Sequence, residues 1–153
     1  LEEASYLAGL VSGALTQSNV IGFIGGVELP PVKAAYEGWV NGARAINPRV
    51  QARVTYLNNW DDVAAAREAA LALMRVGVDV FHHNADAAAL GLFQAAKQTP
   101  GITVVGANWT VDLQHRPVAE SVATALGGTV KGGSELTLPL TAIKKISNVF
   151  LSV

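Results

Sequence analysis

The stretch "IGFIGGVELPP", residues 21–31, has the outline of a phosphate-binding loop, because glycines follow an apolar run and two prolines could open a helix. A dinucleotide-binding loop requires the spacing G-x-G-x-x-G, whereas the glycines here are Gly22, Gly25 and Gly26. The carboxylate of Glu28 would repel a phosphate, and the stretch lacks the lysine and the serine or threonine of a P-loop. The spacing therefore favours a tight strand-to-helix turn that needs small residues.

The adjacent histidines His82 and His83 raise the question of a metal site. Successive side chains on a strand point to opposite faces, so the two rings cannot both reach one ion while the strand continues. The chain contains three histidines and no cysteine, which excludes disulfides and thiolate ligands. We therefore predict no metal and no cofactor. His82 or Asn84 is interpreted as a hydrogen-bonding ligand contact, with a capping turn before the next helix as the alternative.

Catalytic chemistry has little support in this sequence. A G-x-S-x-G nucleophile elbow is absent, and the adjacent carboxylates Asp61 and Asp62 lie where a helix is predicted to begin, with Asp61 as its cap. A phospho-receiver domain would need an aspartate at the end of the third strand, where this chain has its histidine pair. We predict no catalytic residue and no enzymatic activity.

These residues must be positioned by a regular alternation of short β-rich runs and longer helical stretches. Strands alternating with helices of ten or more residues are typical of the α/β class, a parallel sheet with right-handed crossovers and helices on both faces, in three layers. The predicted strands are Val20–Ile24, Gln51–Leu57, Val78–His82 and Ile102–Ala107. The predicted helices are Glu2–Leu15, Pro31–Ala45, Asp61–Val76 and Asp86–Lys97.

Polar and aromatic residues follow each of the four predicted strands, Asn58, Asn59 and Trp60 among them. Because the carboxyl ends of parallel strands meet at one edge of a sheet, these side chains would form a common rim. Hydrogen-bonding groups beside flat aromatic rings suit a small neutral polar ligand such as a sugar or a nucleoside. The predicted ligand contacts are Glu28, His82, Asn84, Asp86, Asn108 and Trp109.

Residues 1–127 are predicted to form a single α/β ligand-binding lobe, and residues 128–153 extra strands or a return segment. Residues Val118–Leu126, at the end of the predicted lobe, suggest a short helix, whereas Leu136–Leu140 and Val149–Val153 suggest strands. The composition fits one packed domain, with half of the residues hydrophobic and 15% charged. A formal net charge of -1 provides no basic surface for nucleic acid, so we predict no nucleic-acid partner. The chain is interpreted as a soluble fragment or a processed chain.

Two long segments resemble the second lobe of the basic membrane protein family, bacterial substrate-binding lipoproteins that include purine-nucleoside receptors of ABC importers. They are "YLAGLVSGALTQSNVIGFIGGVELPPVKAAYEGWVNGARAINP" and "NNWDDVAAAREAALALMRVGVDVFHHNADAAALGLFQAAKQ". The resemblance covers about residues 4–108 and implies one lobe of a type I periplasmic-binding-protein fold, with the ligand in the cleft between two lobes. The motif of the family's first lobe is absent from this chain.

The resemblance implies the small-solute-binding lobe of a bacterial ABC importer, acting with a first lobe and an ABC permease, and lipid-anchored outside the cytoplasm. Two departures affect nucleoside specificity: residues 85–89 replace a glycine-rich loop, and Asn108 stands where the family has an aspartate. The alternative is a cytoplasmic regulatory domain of the same fold, attached to a transcriptional or signalling module.

Overall fold

The computed structural model describes residues 2–106, 129–131 and 135–137 of the chain. The chain divides into two compact units, residues 1–109 and 110–153. In the second unit, β5 (Thr129–Lys131) and β6 (Glu135–Thr137) form an antiparallel pair. Most of the predicted Leu136–Leu140 strand, the predicted segments 118–126 and 149–153, and the predicted domain boundary at residue 127 lie outside the described residues.

The first unit contains a four-stranded parallel sheet in the order β2-β1-β3-β4, so the predicted α/β class is confirmed. Helices α1 and α2 pack on one face of the sheet and α3 and α4 on the other, which gives three layers. The strands are β1 (Val20–Gly25), β2 (Gln51–Tyr56), β3 (Val80–Asn84) and β4 (Thr103–Val105). The helices are α1 (Glu2–Leu15), α2 (Pro30–Ile46), α3 (Val63–Arg75) and α4 (Ala89–Gln98), with a 3₁₀ turn at Asp86–Ala88.

Two local predictions need correction. The cap of α3 is Asp62 and not Asp61, because the Asp62 carboxylate accepts a 2.8 Å hydrogen bond from the Ala65 N–H. Strand β3 lies two residues later than predicted, since the Val78 N–H still bonds the last turn of α3, at the Leu73 carbonyl oxygen. With these bounds, both histidines lie within β3.

The core on the α1–α2 face is built around Trp39, which is fully buried. The Trp39 indole Nε1 donates to the Ser12 hydroxyl at 2.9 Å, and Ser12 in turn donates to the Ala8 carbonyl oxygen at 2.8 Å. Both buried polar groups are therefore satisfied within the helix pair. These two hydrogen bonds link α1 to α2 on the side of the helices that faces the core.

Helices α1 and α2 approach at backbone contact because each presents two glycines spaced four residues apart. A Cβ on Gly42 would meet the Tyr6 carbonyl oxygen, and one on Gly9 would meet the Trp39 carbonyl oxygen. Small residues at this spacing let two helix backbones approach closely. The remaining pair, Gly13 and Gly38, likewise faces backbone atoms of the opposite helix.

We expect Gly42→Ala to lower the free energy of unfolding by about 1–3 kcal/mol, because the obstructing atom is backbone and cannot rotate away. The loss should appear although alanine favours a helix by about 1 kcal/mol relative to glycine. Urea unfolding of the 153-residue chain measures the change.

The matched control is Gly106→Ala, because a Cβ there has no neighbour within 4 Å among the described residues. It should leave the unfolding midpoint near that of the parent chain. Equal stability of the Gly42→Ala and Gly106→Ala variants would contradict the proposed close contact.

Candidate functional site

The carboxyl ends of β1, β2 and β3 are joined by backbone hydrogen bonds into one rim. The Gly26 N–H donates to the Asn84 carbonyl oxygen and the Asn58 N–H to the Gly26 carbonyl oxygen, both at 2.8 Å. The Ala88 N–H donates to the Trp60 carbonyl oxygen at 2.9 Å. Each of the three loops is therefore held by another loop, and the rim is fixed before any ligand arrives.

The glycines after β1 are required by two aromatic rings. A Cβ on Gly25 would lie 2.6 Å from Cδ1 of Tyr56, and a Cβ on Gly26 would lie within the ring system of Trp60. Both rings are half-buried against the α1–α2 side of the core. The sequence predicts a turn that needs small residues here, and the physical reason is that the two aromatic rings pack directly on its glycines.

Glu28 lies in the exposed loop between β1 and α2 and pairs with Lys33 in the first turn of α2. The distance from Lys33 Nζ to Glu28 Oε1 is 3.1 Å, and each side chain is 52% exposed. The hydrogen bond and charge of Glu28 raise the pKa of Lys33. Neither the pairing nor Lys33 itself was part of the sequence-based site.

Asn84 and Asp86 flank the end of β3. The Asn84 side chain is half-buried and makes no hydrogen bond to another described residue. Asp86 is exposed and has a φ of 45°, and Asn58 across the rim has a φ of 55°. Such left-handed conformations are unusual for residues other than glycine, although aspartate and asparagine tolerate them best. Glu28, Asn84 and Asp86 thus lie at or just beyond the carboxyl ends of β1 and β3, on one edge of the sheet.

His82 lies in a different place from the predicted one at the mouth of the strand. Its ring is 3% exposed and packs against Phe23 and Trp39 at centroid distances of 5.6 and 5.7 Å. Nδ1 donates to the Val105 carbonyl oxygen at 2.7 Å, which fixes the tautomer and ties β3 to β4. Burial lowers the pKa of His82, although the bond to Val105 opposes this effect. In this unit the ring is part of the core.

His83 points to the opposite face of β3, as the alternation of strand side chains predicts. Its ring meets Phe93 edge-on at 5.3 Å, and Nδ1 is buried without a hydrogen-bond partner among the described residues. Burial, with a smaller contribution from His82, lowers the pKa of His83 to about 4. The neutral ring is therefore the form that fits the folded sheet.

The remaining predicted contacts, Asn108 and Trp109, lie outside the described residues, and their role stays a prediction. Tyr56 and Lys33 were missed by sequence reasoning. Tyr56 is the last residue of its strand and lies opposite a glycine, but this pairing is known only once the register of the two strands is known.

Among the described residues, no cluster of three acidic or histidine side chains could hold a metal ion. No helix in the same part of the chain has the length and apolarity to cross a bilayer.

An α/β lobe with polar and aromatic groups gathered at the carboxyl edge of its sheet is the architecture of solute-binding proteins of the type I periplasmic fold. The profile of the Bmp family, described as "ABC transporter substrate-binding protein PnrA-like", matches residues 1–122. The chain belongs to this family, which consists of binding proteins and not of enzymes.

Individual relatives agree with this assignment. Basic membrane protein B of Borreliella afzelii is 34% identical over 71% of this chain and 32% of its own length. TsgA13 of Haloferax volcanii, provisionally named an ABC transporter glucose-binding protein, is 38% identical over 57% of this chain and 22% of its own length. A solved ABC transporter solute-binding protein of Conexibacter woesei is 32% identical with a TM-score of 0.63, covering 70% of this chain and 35% of that protein. The chain thus spans about a third or less of the length of the curated relatives it matches.

We expect Gly26→Ala to destabilise the chain by about 1–3 kcal/mol, because the new methyl group would occupy the place of the Trp60 ring. In a Trp60→Leu background the same substitution should cost less, since the ring has been removed. A double-mutant cycle on urea unfolding measures this coupling. Additive effects of the two substitutions would show that Trp60 does not lie on Gly26.

The stability of the chain should fall as the pH falls from about 6.5 to about 4. Unfolded His83 takes up a proton near pH 6.5, whereas the folded residue resists protonation until about pH 4, so the unfolded state binds more protons in this window. The contribution of His83 is up to about 3 kcal/mol. Urea unfolding at several pH values should give a shallower slope for His83→Gln than for the parent. An identical slope would contradict the buried neutral state.

Proposed function

We propose that this chain is one lobe of a two-lobed solute-binding protein of an ABC importer, and that its rim contributes half of the binding cleft. The observation that carries the proposal is the aromatic corner formed by Tyr56 and Trp60 on glycine backbone, with hydrogen-bonding side chains beside it. Such a combination orients a small polar ligand through stacking and a few placed polar groups. The family match and the fraction of its relatives that the chain spans support the two-lobed form.

The charges of the rim disfavour an anionic solute. Lys33 is paired with Glu28, whereas Asp61 and Asp86 add exposed carboxylates on neighbouring loops. A phosphorylated or carboxylate ligand would therefore meet repulsion, and the candidate classes of neutral polar solute are sugars and nucleosides. The resemblance to a family that includes purine-nucleoside receptors supports a nucleoside, and the name of TsgA13 supports a sugar.

Binding would proceed by closure of a second lobe over the ligand held at this rim, without any chemical step. The partners proposed are this other lobe and an ABC permease, with the complete protein outside the cytoplasm on a lipid anchor. The description of the family as ABC transporter substrate-binding proteins favours this role over the regulatory alternative.

A thermal-shift screen of the complete two-lobed protein with nucleosides and sugars tests the proposal. We expect at least one compound to raise the melting temperature, since a ligand at a hundred times its dissociation constant stabilises by about 2.7 kcal/mol. Alanine at Asn84, Trp60, Asn108 or Trp109 should weaken that ligand roughly tenfold or more. If no compound from either class stabilises the protein, the proposed solute class is wrong.

Lys97→Ala serves as the control, because Lys97 is exposed in the last turn of α4 at the far end of the helix from the rim. It should leave the response to the ligand unchanged. A hit that is insensitive to all four rim substitutions would place the binding site elsewhere.

A further inference from the structure

We propose that Lys33 is a positioning and specificity-determining residue of this rim, which holds and neutralises Glu28 so that the site selects uncharged hydrogen-bond donors over cationic solutes. The inference rests on the proposed function and concerns the chemistry of the ligand at Glu28. It assigns a role to a side chain that the sequence motifs do not single out.

The backbone around the pair is fixed at both of its ends. Lys33 occupies the first turn of α2, where its N–H donates to the Leu29 carbonyl oxygen at 3.0 Å. On the other side of Glu28, the loop begins at Gly26, whose N–H is bonded to the Asn84 carbonyl oxygen. Glu28 and Lys33 therefore project from anchored backbone positions, with 3.1 Å between Lys33 Nζ and Glu28 Oε1.

The pairing changes the chemical character of Glu28. Lys33 contacts Oε1, so Oε2 is the oxygen left to accept a hydrogen bond from a ligand hydroxyl or amino group. Because Lys33 offsets the charge of Glu28, a cationic group gains less at the pair than it would at Glu28 alone, whereas a neutral donor still finds an acceptor. Glu37 is a further acid near Lys33, and Tyr56 lies near both members of the pair.

Tyr56 completes the arrangement with a hydroxyl at the same corner. Its ring is held on Gly25, and Val32 of α2 contacts the same glycine from the helix side. Burial and the charge of Glu28 raise the pKa of Tyr56, and Lys33 partly opposes them, so the hydroxyl stays protonated. The corner thus offers one carboxylate oxygen as acceptor and one phenol as donor, which matches the hydroxyl groups of a neutral solute.

The pair contributes little to stability, because both of its partners are half exposed. Removing Lys33 should therefore leave the fold intact and act on ligand selection. Comparing the affinities of neutral and cationic ligands for an equally stable variant separates a role in ligand selection from a role in stability.

The experiment measures binding by titration calorimetry at pH 6.5 on the complete two-lobed protein, with Lys33→Met compared with the control Lys97→Met. The neutral probes are glucose and adenosine, and the cationic probes are glucosamine and 5′-amino-5′-deoxyadenosine. For the probe pair that binds, we expect Lys33→Met to shift the neutral-to-cationic affinity ratio about tenfold or more toward the cation. Lys97→Met should leave the ratio unchanged, and all melting temperatures should agree.

A second measurement tests the pair without a ligand. Glu28→Gln should lower the pKa of Lys33, followed by NMR of the lysine side chain, because the carboxylate raises that pKa. A pKa that falls as expected together with an unchanged affinity ratio would overturn the role of Lys33 while leaving the proposed solute binding intact. Failure of the parent protein to bind any of the four probes would instead overturn the proposed function for these solutes, and this inference with it.

Discussion

The rim depends on one steric constraint, the absence of side chains at Gly25 and Gly26. Because Tyr56 and Trp60 occupy the space that Cβ atoms would fill, the end of β2 and the loop after it can lie directly on the end of β1. That proximity lets the Asn58 N–H reach the Gly26 carbonyl oxygen and lets the Gly26 N–H reach Asn84. A side chain at either glycine would move an aromatic ring and, with it, the backbone bonds that hold three loops together.

The same use of glycine recurs between α1 and α2, where it sets the thickness of one helical layer. Gly9 and Gly42 allow backbone contact between the helices, and the buried Trp39 lies beneath them with its indole nitrogen bonded to Ser12. The α1–α2 pair therefore behaves as a unit that covers the sheet from β1 to β4. The proposed closure of this unit over a ligand as a rigid body would require such close packing, since densely packed interiors transmit strain.

Much of the fold could be predicted from the sequence because strand and helix periods, prolines and capping residues act locally. The prolines at the start of α2 and the acidic pair before α3 mark the helix starts to within two residues. The start of β3 could not be predicted, because the residue before it is held by distant partners: the Asp79 carboxylate accepts from Thr16, Gln17 and Ser18, more than sixty residues away. That shift of two residues is what moved His82 from the predicted rim into the core.

The sequence predicts that polar residues follow the strands at one edge of the sheet, but it does not predict which partner each side chain contacts. Sequence order places polar residues after each strand, but the partner of a side chain is decided in three dimensions. His82 is bonded to a backbone carbonyl oxygen and enclosed by aromatic rings, so its polarity serves the sheet. Asn84, two residues on and on the same face, makes no side-chain bond to another described residue, while its backbone is fixed by Gly26. The Asn84 backbone is already ordered in the folded chain, so a ligand that bonds its amide would have only the side chain left to order.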